Sequence, residues 1–222
     1  MFQLIDLCDW LTFHQEADGV VRLQNPIPGV PEQDDLTVRA ANLLKHESGC
    51  DQGVTIEIEK NLPMGGGLGG GSSDAATTLI VLNKLWGIGF SAEGVGEKLT
   101  PVSLPEDWFV IIKPDCHVNT RQIFLSEELT RDSKIITMCD FTEGQIDNDC
   151  TSVVSKLYPP VAQALNVLGQ FGQSRLTGTG ACVFAQYSDK NEAMAACNSL
   201  KDFREVYLAK GLNRSPGYDM LG

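Results

Sequence analysis

Asn61-Leu62-Pro63-Met64-Gly65-Gly66-Gly67-Leu68-Gly69-Gly70-Gly71-Ser72-Ser73-Asp74-Ala75-Ala76 sets an almost unbroken run of glycine directly before a helical pattern. Six glycines within residues 65–71 remove nearly every Cβ, so the backbone can take positive φ and bring N–H groups close to an anion. Ser72 or Ser73 is the expected N-cap of the helix that follows. Ala75, Ala76, Leu79, Ile80, Leu82, Leu85 and Trp86 predict a mostly buried helix that ends at Gly87. The positive end of that helix then faces the loop, which is how backbones hold phosphates. Asp74 falls near the helix start, where a carboxylate simply favours the dipole, so it is read as structural and not as a general base.

Two common glycine motifs are excluded by their context. Glycines 65, 67 and 70 formally satisfy GxGxxG, but a dinucleotide site needs a buried parallel strand before the loop. Val54-Thr55-Ile56-Glu57-Ile58-Glu59-Lys60 alternates apolar with polar, as a half-exposed antiparallel strand does. A Walker A loop ends in Gly-Lys-Ser/Thr so that the lysine reaches the outer phosphates, and here Gly71 is followed by Ser72.

The remainder of the chain reads as two α+β units. Asp34 and Asp35 precede the amphipathic pattern Leu36 to Leu44, followed by the strand at 53–60, the glycine run and its helix. After a linker-like stretch from Pro101 to Glu106, Trp108-Phe109-Val110-Ile111-Ile112 opens a second unit. Helices are expected there near 150–171 and 190–200, with strands near 181–187 and 205–210.

Composition narrows the class without choosing a member. The 222 residues are 42% hydrophobic, enough for ordinary cores in one large or two small domains. A formal charge of −12 and a pI near 4.6 argue against unspecific nucleic-acid or anionic-membrane binding, since both need a basic surface. Seven cysteines without a CxxC pair, and without metal-ligand spacing to His14, His46 or His117, read as reduced thiols. No apolar run of membrane-spanning length and no signal-peptide pattern is evident, so a cytoplasmic protein is expected.

The pattern Pro63-x-x-x-Gly67-Leu68-Gly69-x-x-Ser72-Ser73-x-Ala75 resembles the second motif of the GHMP kinases (galactokinase, homoserine kinase, mevalonate kinase, phosphomevalonate kinase). Its triple-glycine form is similar to that of the bacterial 4-diphosphocytidyl-2-C-methyl-D-erythritol kinases. Ser174-Arg175-Leu176-Thr177-Gly178-Thr179-Gly180-Ala181-Cys182-Val183-Phe184-Ala185 resembles their third motif. The segments 92–97, His117 to Phe124 and Ala209 to Pro216 are similar to theirs as well.

The resemblance implies a two-domain α+β fold, with a ribosomal-protein-S5-like ATP-binding domain over 1–103 and a ferredoxin-like domain over 104–222. It implies ATP and Mg²⁺ as cofactors and phosphorylation of the 2-hydroxyl of 4-diphosphocytidyl-2-C-methyl-D-erythritol, by a monomer or homodimer that binds neither nucleic acid nor membrane. Carried over residue by residue, Pro63, Met64, Gly65, Gly66, Gly67, Leu68, Gly69, Gly70, Gly71, Ser72 and Ser73 would bind ATP, with Ser72 or Ser73 near Mg²⁺. Val95, Thr120 and Phe124 would line the diphosphocytidyl pocket. Phe124 lies between Ile123 and Leu125 and reads equally well as a strand or core residue, and Val95 as a space-filler. Thr177, Gly178, Thr179 and Gly180 would form a closing loop, with a structural bend as the competing reading.

Two family segments have no match. The chain opens at Met1-Phe2-Gln3-Leu4-Ile5-Asp6 without the family's Pro-Ala-Lys-Leu-Asn-Leu motif or its Gly-Tyr-His turn. Gly87-Ile88-Gly89-Phe90 runs straight into Ser91-Ala92-Glu93, where the family has a helix and a Gly-Ala-Asp-Val-Pro segment. The family's active-site lysine and catalytic aspartate belong to those stretches, so no catalytic residue is assigned. Two alternatives therefore stand beside the kinase: a non-catalytic nucleotide-binding relative, and a GHMP kinase for another small molecule.

Overall fold

A computed structural model describes residues 3–89, 103–133 and 148–217. They fall into two compact units, each drawn from separate stretches of chain. The carboxy-terminal unit takes Met1–Asp6, Pro63–Leu68 and Leu104–Asn213, and the amino-terminal unit takes Leu7–Leu62, Gly69–Ser103 and Arg214–Gly222. The halves 1–103 and 104–222 are thus exchanged at three places, residues 1–6, 63–68 and 214–222, the second of them ending inside the glycine run.

In the amino-terminal unit, β2 (Trp10–Glu16), β3 (Val21–Leu23) and β4 (Gly53–Glu59) form a sheet in the order β2-β4-β3. β4 alternates as its sequence predicts, with Val54, Ile56 and Ile58 buried and Glu57 and Glu59 exposed. It is antiparallel to β2 but parallel to β3, so the expectation of a purely antiparallel strand is corrected. A parallel neighbour requires a crossover, and α1 (Leu36–Ser48) supplies it between β3 and β4. Asp35 caps α1, accepting from the N–H groups of Thr37 at 2.8 Å and Val38 at 3.3 Å. Val38, Ala41 and Leu44 of α1 then meet Val54, Ile56, Ile58 and Leu82 in one core.

Leu82 belongs to α2 (Gly70–Leu85), whose buried positions Asp74, Thr78 and Leu82 recur every four residues along one stripe. Ile80 remains 53% exposed and Leu85 is also exposed, so α2 is one-sided and not the mostly buried helix that its composition predicted.

The carboxy-terminal unit is a five-stranded sheet in the order β1-β8-β5-β7-β6, built from β1 (Leu4–Ile5), β5 (Trp108–Ile112), β6 (Ser174–Leu176), β7 (Val183–Tyr187) and β8 (Val206–Leu212). All its pairings are antiparallel. Val110, Ile112, Val183 and Ala185 share a core with α4 (Cys150–Leu157), α5 (Pro159–Leu168) and α6 (Lys190–Ser199). The helix expected across 150–171 is two helices. Tyr158 leaves helical geometry at φ −126, ψ 84, because the ring of Pro159 disfavours the α conformation in the residue before it. Prolines 159 and 160 then open α5, where no N–H is needed. A short helix, α3 (Thr120–Leu125), lies after β5.

Among the described residues, no helix is long and apolar enough to cross a membrane. The one-sided packing of α2 predicts a contrast between neighbouring apolar residues. Leu82→Ala should cost about 2–5 kcal/mol in chemical denaturation, whereas Ile80→Ala should change stability by about 0.5 kcal/mol or less.

Candidate functional site

The first half of the glycine run lies against the second glycine loop. The Ala181 N–H donates to the Gly65 carbonyl at 3.3 Å and the Cys182 N–H to that of Gly66 at 3.1 Å, and the Thr177 hydroxyl donates to the Gly67 carbonyl at 3.0 Å. In a trans peptide the C=O and the following N–H point in opposite directions. Holding these three carbonyls toward the second loop therefore turns the N–H groups of Gly66, Gly67 and Leu68 away from it. Gly67 has φ +76, and a Cβ there would stand 2.6 Å from the Thr177 carbonyl oxygen. This position needs glycine both for its conformation and for the close approach.

The second half of the run becomes the start of α2. Gly69, at φ +73, is the N-cap and offers no side chain, and the first intrahelical bond runs from the Ser73 N–H to the Gly69 carbonyl at 3.0 Å. The expected cap at Ser72 or Ser73 is thus corrected. Both lie inside the first turn with exposed side chains, because three glycines let the helix begin earlier. The N–H groups of Gly70, Gly71 and Ser72 have no hydrogen-bond acceptor among the described residues. The first amides of this sixteen-residue helix are open and uncapped, and a helix start of that kind attracts anions.

Behind this start lies an ionic cluster that sequence reasoning missed. Lys60 sits just past β4 and pairs with Asp9 and, at 2.8 Å, with Asp74. The Asp9 side chain is fully buried and its other oxygen accepts from the N–H groups of Asn61 and Leu62, each at 2.7 Å. Asp9 thereby pins the chain as it enters the glycine run. Asp74 is 6% exposed and lies beyond the first helical turn, so its role is this ion pair and not the helix dipole. Burial pushes the Asp74 carboxyl above its ordinary range despite the pull of Lys60. Burial works against the Lys60 ammonium too, but the hydrogen bonds to Asp74 and Asp9 outweigh it and hold its pKa above the usual 10.5. Both signals were present in the sequence. Lys60 continues the inward register of Val54, Ile56 and Ile58, and Asp74 precedes Thr78 and Leu82 at helical spacing, and a charge in such a place demands a partner.

The remaining candidates gather around α3. Thr120 and Thr179 share a hydrogen bond at 2.9 Å between their hydroxyls, which joins the start of α3 to the second loop. Phe124, one turn further along α3, is helical and 55% exposed, while its neighbour Ile123 fills the core. The strand and core readings of Phe124 are thereby corrected. Asn119 caps α3, and the Tyr158 hydroxyl accepts from its N–H at 3.1 Å and donates to Gln122 at 3.2 Å. The exposed His117 ring stands beside Gly65, with Nδ1 3.1 Å from where a Cβ would be. Val95 lies outside the described residues. Cys182 touches Gly66 from below, and burial pushes its thiol up to about 12, which leaves it unreactive.

Two substitutions test this geometry. Lys60→Met leaves two buried carboxylates without a counter-ion and should cost about 3 kcal/mol near neutral pH. In the folded protein Asp74 binds a proton more readily than in the unfolded chain, so falling pH relieves its burial cost. The deficit of Lys60→Met should therefore shrink as the pH falls from neutral in urea titrations. Gly69 has open space around its missing Cβ, so Gly69→Ala should cost only the left-handed strain of about 1–2 kcal/mol. Gly67→Ala should cost more by the same measurement, because the second loop must move.

The family model for the GHMP kinases N terminal domain matches residues 35–99, and the model for the GHMP kinases C terminal domain matches 138–205. A 4-diphosphocytidyl-2-C-methyl-D-erythritol kinase of Methylococcus capsulatus is 46% identical, with 100% of this chain and 85% of the relative covered. Its counterpart in Nitrosococcus oceani is 45% identical over 99% of this chain and 88% of its own length. The first alignment runs over 247 positions against 222 residues, so the relative carries stretches inside the aligned region that this chain lacks. Among solved structures, a 4-(cytidine 5'-diphospho)-2C-methyl-D-erythritol kinase shares the fold with a TM-score of 0.79 at 23% identity, over 94% of this chain and 88% of that one. The homoserine kinase of Cytophaga hutchinsonii shares it at 0.60 and 15%, over 93% of this chain and 88% of its own. With both halves of the glycine-loop architecture matched by family models and near-complete relatives at this identity, the chain belongs to the GHMP kinase family, in the branch of the 4-diphosphocytidyl-2-C-methyl-D-erythritol kinases.

Proposed function

We propose that this chain transfers the γ-phosphoryl group of ATP to the 2-hydroxyl of 4-diphosphocytidyl-2-C-methyl-D-erythritol, the substrate named for its relatives. The observation that carries the reading is the row of open backbone N–H groups at the start of α2, uncapped by any side chain. In this proposal Pro63 to Ser73 hold the triphosphate. Phosphoryl transfer depends on positioning and on neutralising charge, and fixed N–H groups do both without reorganising. In a protein of net charge −12, such local donors matter the more.

Mg²⁺ bound together with ATP would neutralise phosphate charge. Among the described residues no group of three or more His, Cys, Asp or Glu could hold a metal alone. An ion carried by the phosphate oxygens of the nucleotide would need one protein hydroxyl, which the exposed Ser72 or Ser73 would supply. Thr120 and Phe124, exposed one turn apart on α3, are assigned to the diphosphocytidyl group together with Val95. Thr177 to Gly180 close over the glycine run. The enzyme acts in the cytoplasm as a monomer or homodimer.

The acceptor oxygen bonds to the γ-phosphorus as the bond to the β–γ bridging oxygen breaks, which releases ADP and a proton. Asp9 and Asp74 are committed to Lys60 and are not assigned that proton. This commitment favours a second reading, a chain that binds Mg-ATP without turning it over.

Incubation of the purified chain with Mg-ATP and 4-diphosphocytidyl-2-C-methyl-D-erythritol separates the two readings. ADP formation with a new phosphomonoester signal in ³¹P NMR is the expected result. ATP binding without that signal overturns the kinase in favour of the binder, and turnover only with homoserine or phosphomevalonate overturns the choice of acceptor.

A further inference from the structure

Asn148 precedes α4 and makes three hydrogen bonds with one side-chain amide. Its oxygen accepts from the Cys150 N–H at 2.9 Å, which ties it to the first turn of the helix. Its Nδ2 donates to the carbonyl oxygens of Leu176 at 3.0 Å and of Gly178 at 2.7 Å. Those carbonyls flank Thr177, whose hydroxyl holds the Gly67 carbonyl from the other side. Only a carboxamide offers two donors and an acceptor in one short planar group, so no other side chain of this length reproduces the set.

The second loop needs such an outside restraint. Gly178 and Gly180 both have positive φ, and although the Gly180 N–H donates to the Thr177 carbonyl at 2.8 Å and the Thr177 N–H to that of Cys182 at 3.1 Å, neither bond holds the Gly178 carbonyl. Thr177 must nonetheless stand at a fixed distance from Gly67. If it drifts, the peptide after Gly67 is free to turn, and a carbonyl oxygen replaces the Leu68 N–H on the side away from the loop. An oxygen there repels the phosphates that an N–H attracts.

We propose that Asn148 is a positioning residue for nucleotide phosphate, acting through Thr177 on the orientation of the Gly67–Leu68 peptide. The proposal rests on the assignment of ATP to the glycine run. It makes Asn148 part of the phosphate grip although it touches no phosphate itself.

The test is Mg-ATP affinity by titration calorimetry for the unaltered chain, Asn148→Asp, Thr177→Val and the double variant. Asn148→Asp keeps the shape and the oxygen that accepts from Cys150 but cannot donate to Leu176 or Gly178. Each single variant should weaken ATP binding about tenfold, and the double variant should be little worse than the weaker single, because both act through one peptide. A purely structural role for Asn148 gives additive losses instead, and additivity overturns the proposal. So does an Asn148→Asp variant that binds ATP as tightly as the unaltered chain. If Asn148→Asp does not yield folded protein by circular dichroism, Asn148→Ser takes its place under the same criteria. Failure of the unaltered chain to bind ATP overturns the proposed function and this inference with it, whereas normal binding by every variant overturns this inference alone.

Discussion

The carbonyls of Gly65, Gly66 and Gly67 are all engaged from one side by the second glycine loop, and the rest of the site depends on that engagement. A glycine run without side chains has no intrinsic reason to prefer one set of peptide orientations over another. Three hydrogen bonds to residues more than a hundred positions away choose one set, and it is the set that turns N–H groups outward from the brace. The glycines contribute freedom, and the partner loop removes it in a single direction. So flexible a sequence thereby becomes a rigid element, whose preorganised donors would lose nothing on meeting an anion.

The same run is tethered at its entrance by charge. Asp9 accepts from the N–H groups of Asn61 and Leu62 while Lys60 balances it and Asp74. A buried cluster of one cation and two anions carries a desolvation cost that a hydrophobic cluster would avoid. What it offers in return is orientation. Carboxylate oxygens fix backbone N–H groups at the mouth of the loop, and Asp74 ties that mouth to the helix that the loop leads into. In so acidic a protein the open backbone amides are the donors an anion would meet, since Lys60 is already outnumbered by Asp9 and Asp74.

Much of this was legible in order of residues. The alternation of Val54, Ile56 and Ile58 predicts β4, Asp35 predicts the start of α1, and the glycine run with its missing Walker lysine predicts a phosphate loop of a particular kind. Where the reading failed, a glycine, a proline or the turn of a short helix close by in the chain outweighed the preference of the residue itself. Serines at 72 and 73 are good caps, but Gly69 can turn through a left-handed conformation and start the helix first. Phe124 looks like a core residue by composition, yet the helical turn of α3 sends Ile123 inward and leaves Phe124 outside. Tyr158 interrupts a helical stretch because the following proline forbids the geometry it would need.

By itself the sequence determined the periods of its elements, the places where backbone could turn left-handed, and the family whose glycine loops it carries, since these follow from side-chain size and spacing along the chain. Only the tertiary structure decided the partners. Lys60 meets a carboxylate fifty-one residues earlier and another fourteen later, and Asn148 reaches carbonyls twenty-eight and thirty residues away. The physical reason is that a hydrogen bond or an ion pair depends on distance in space, and chain order constrains that distance only within a turn of helix or a step of strand.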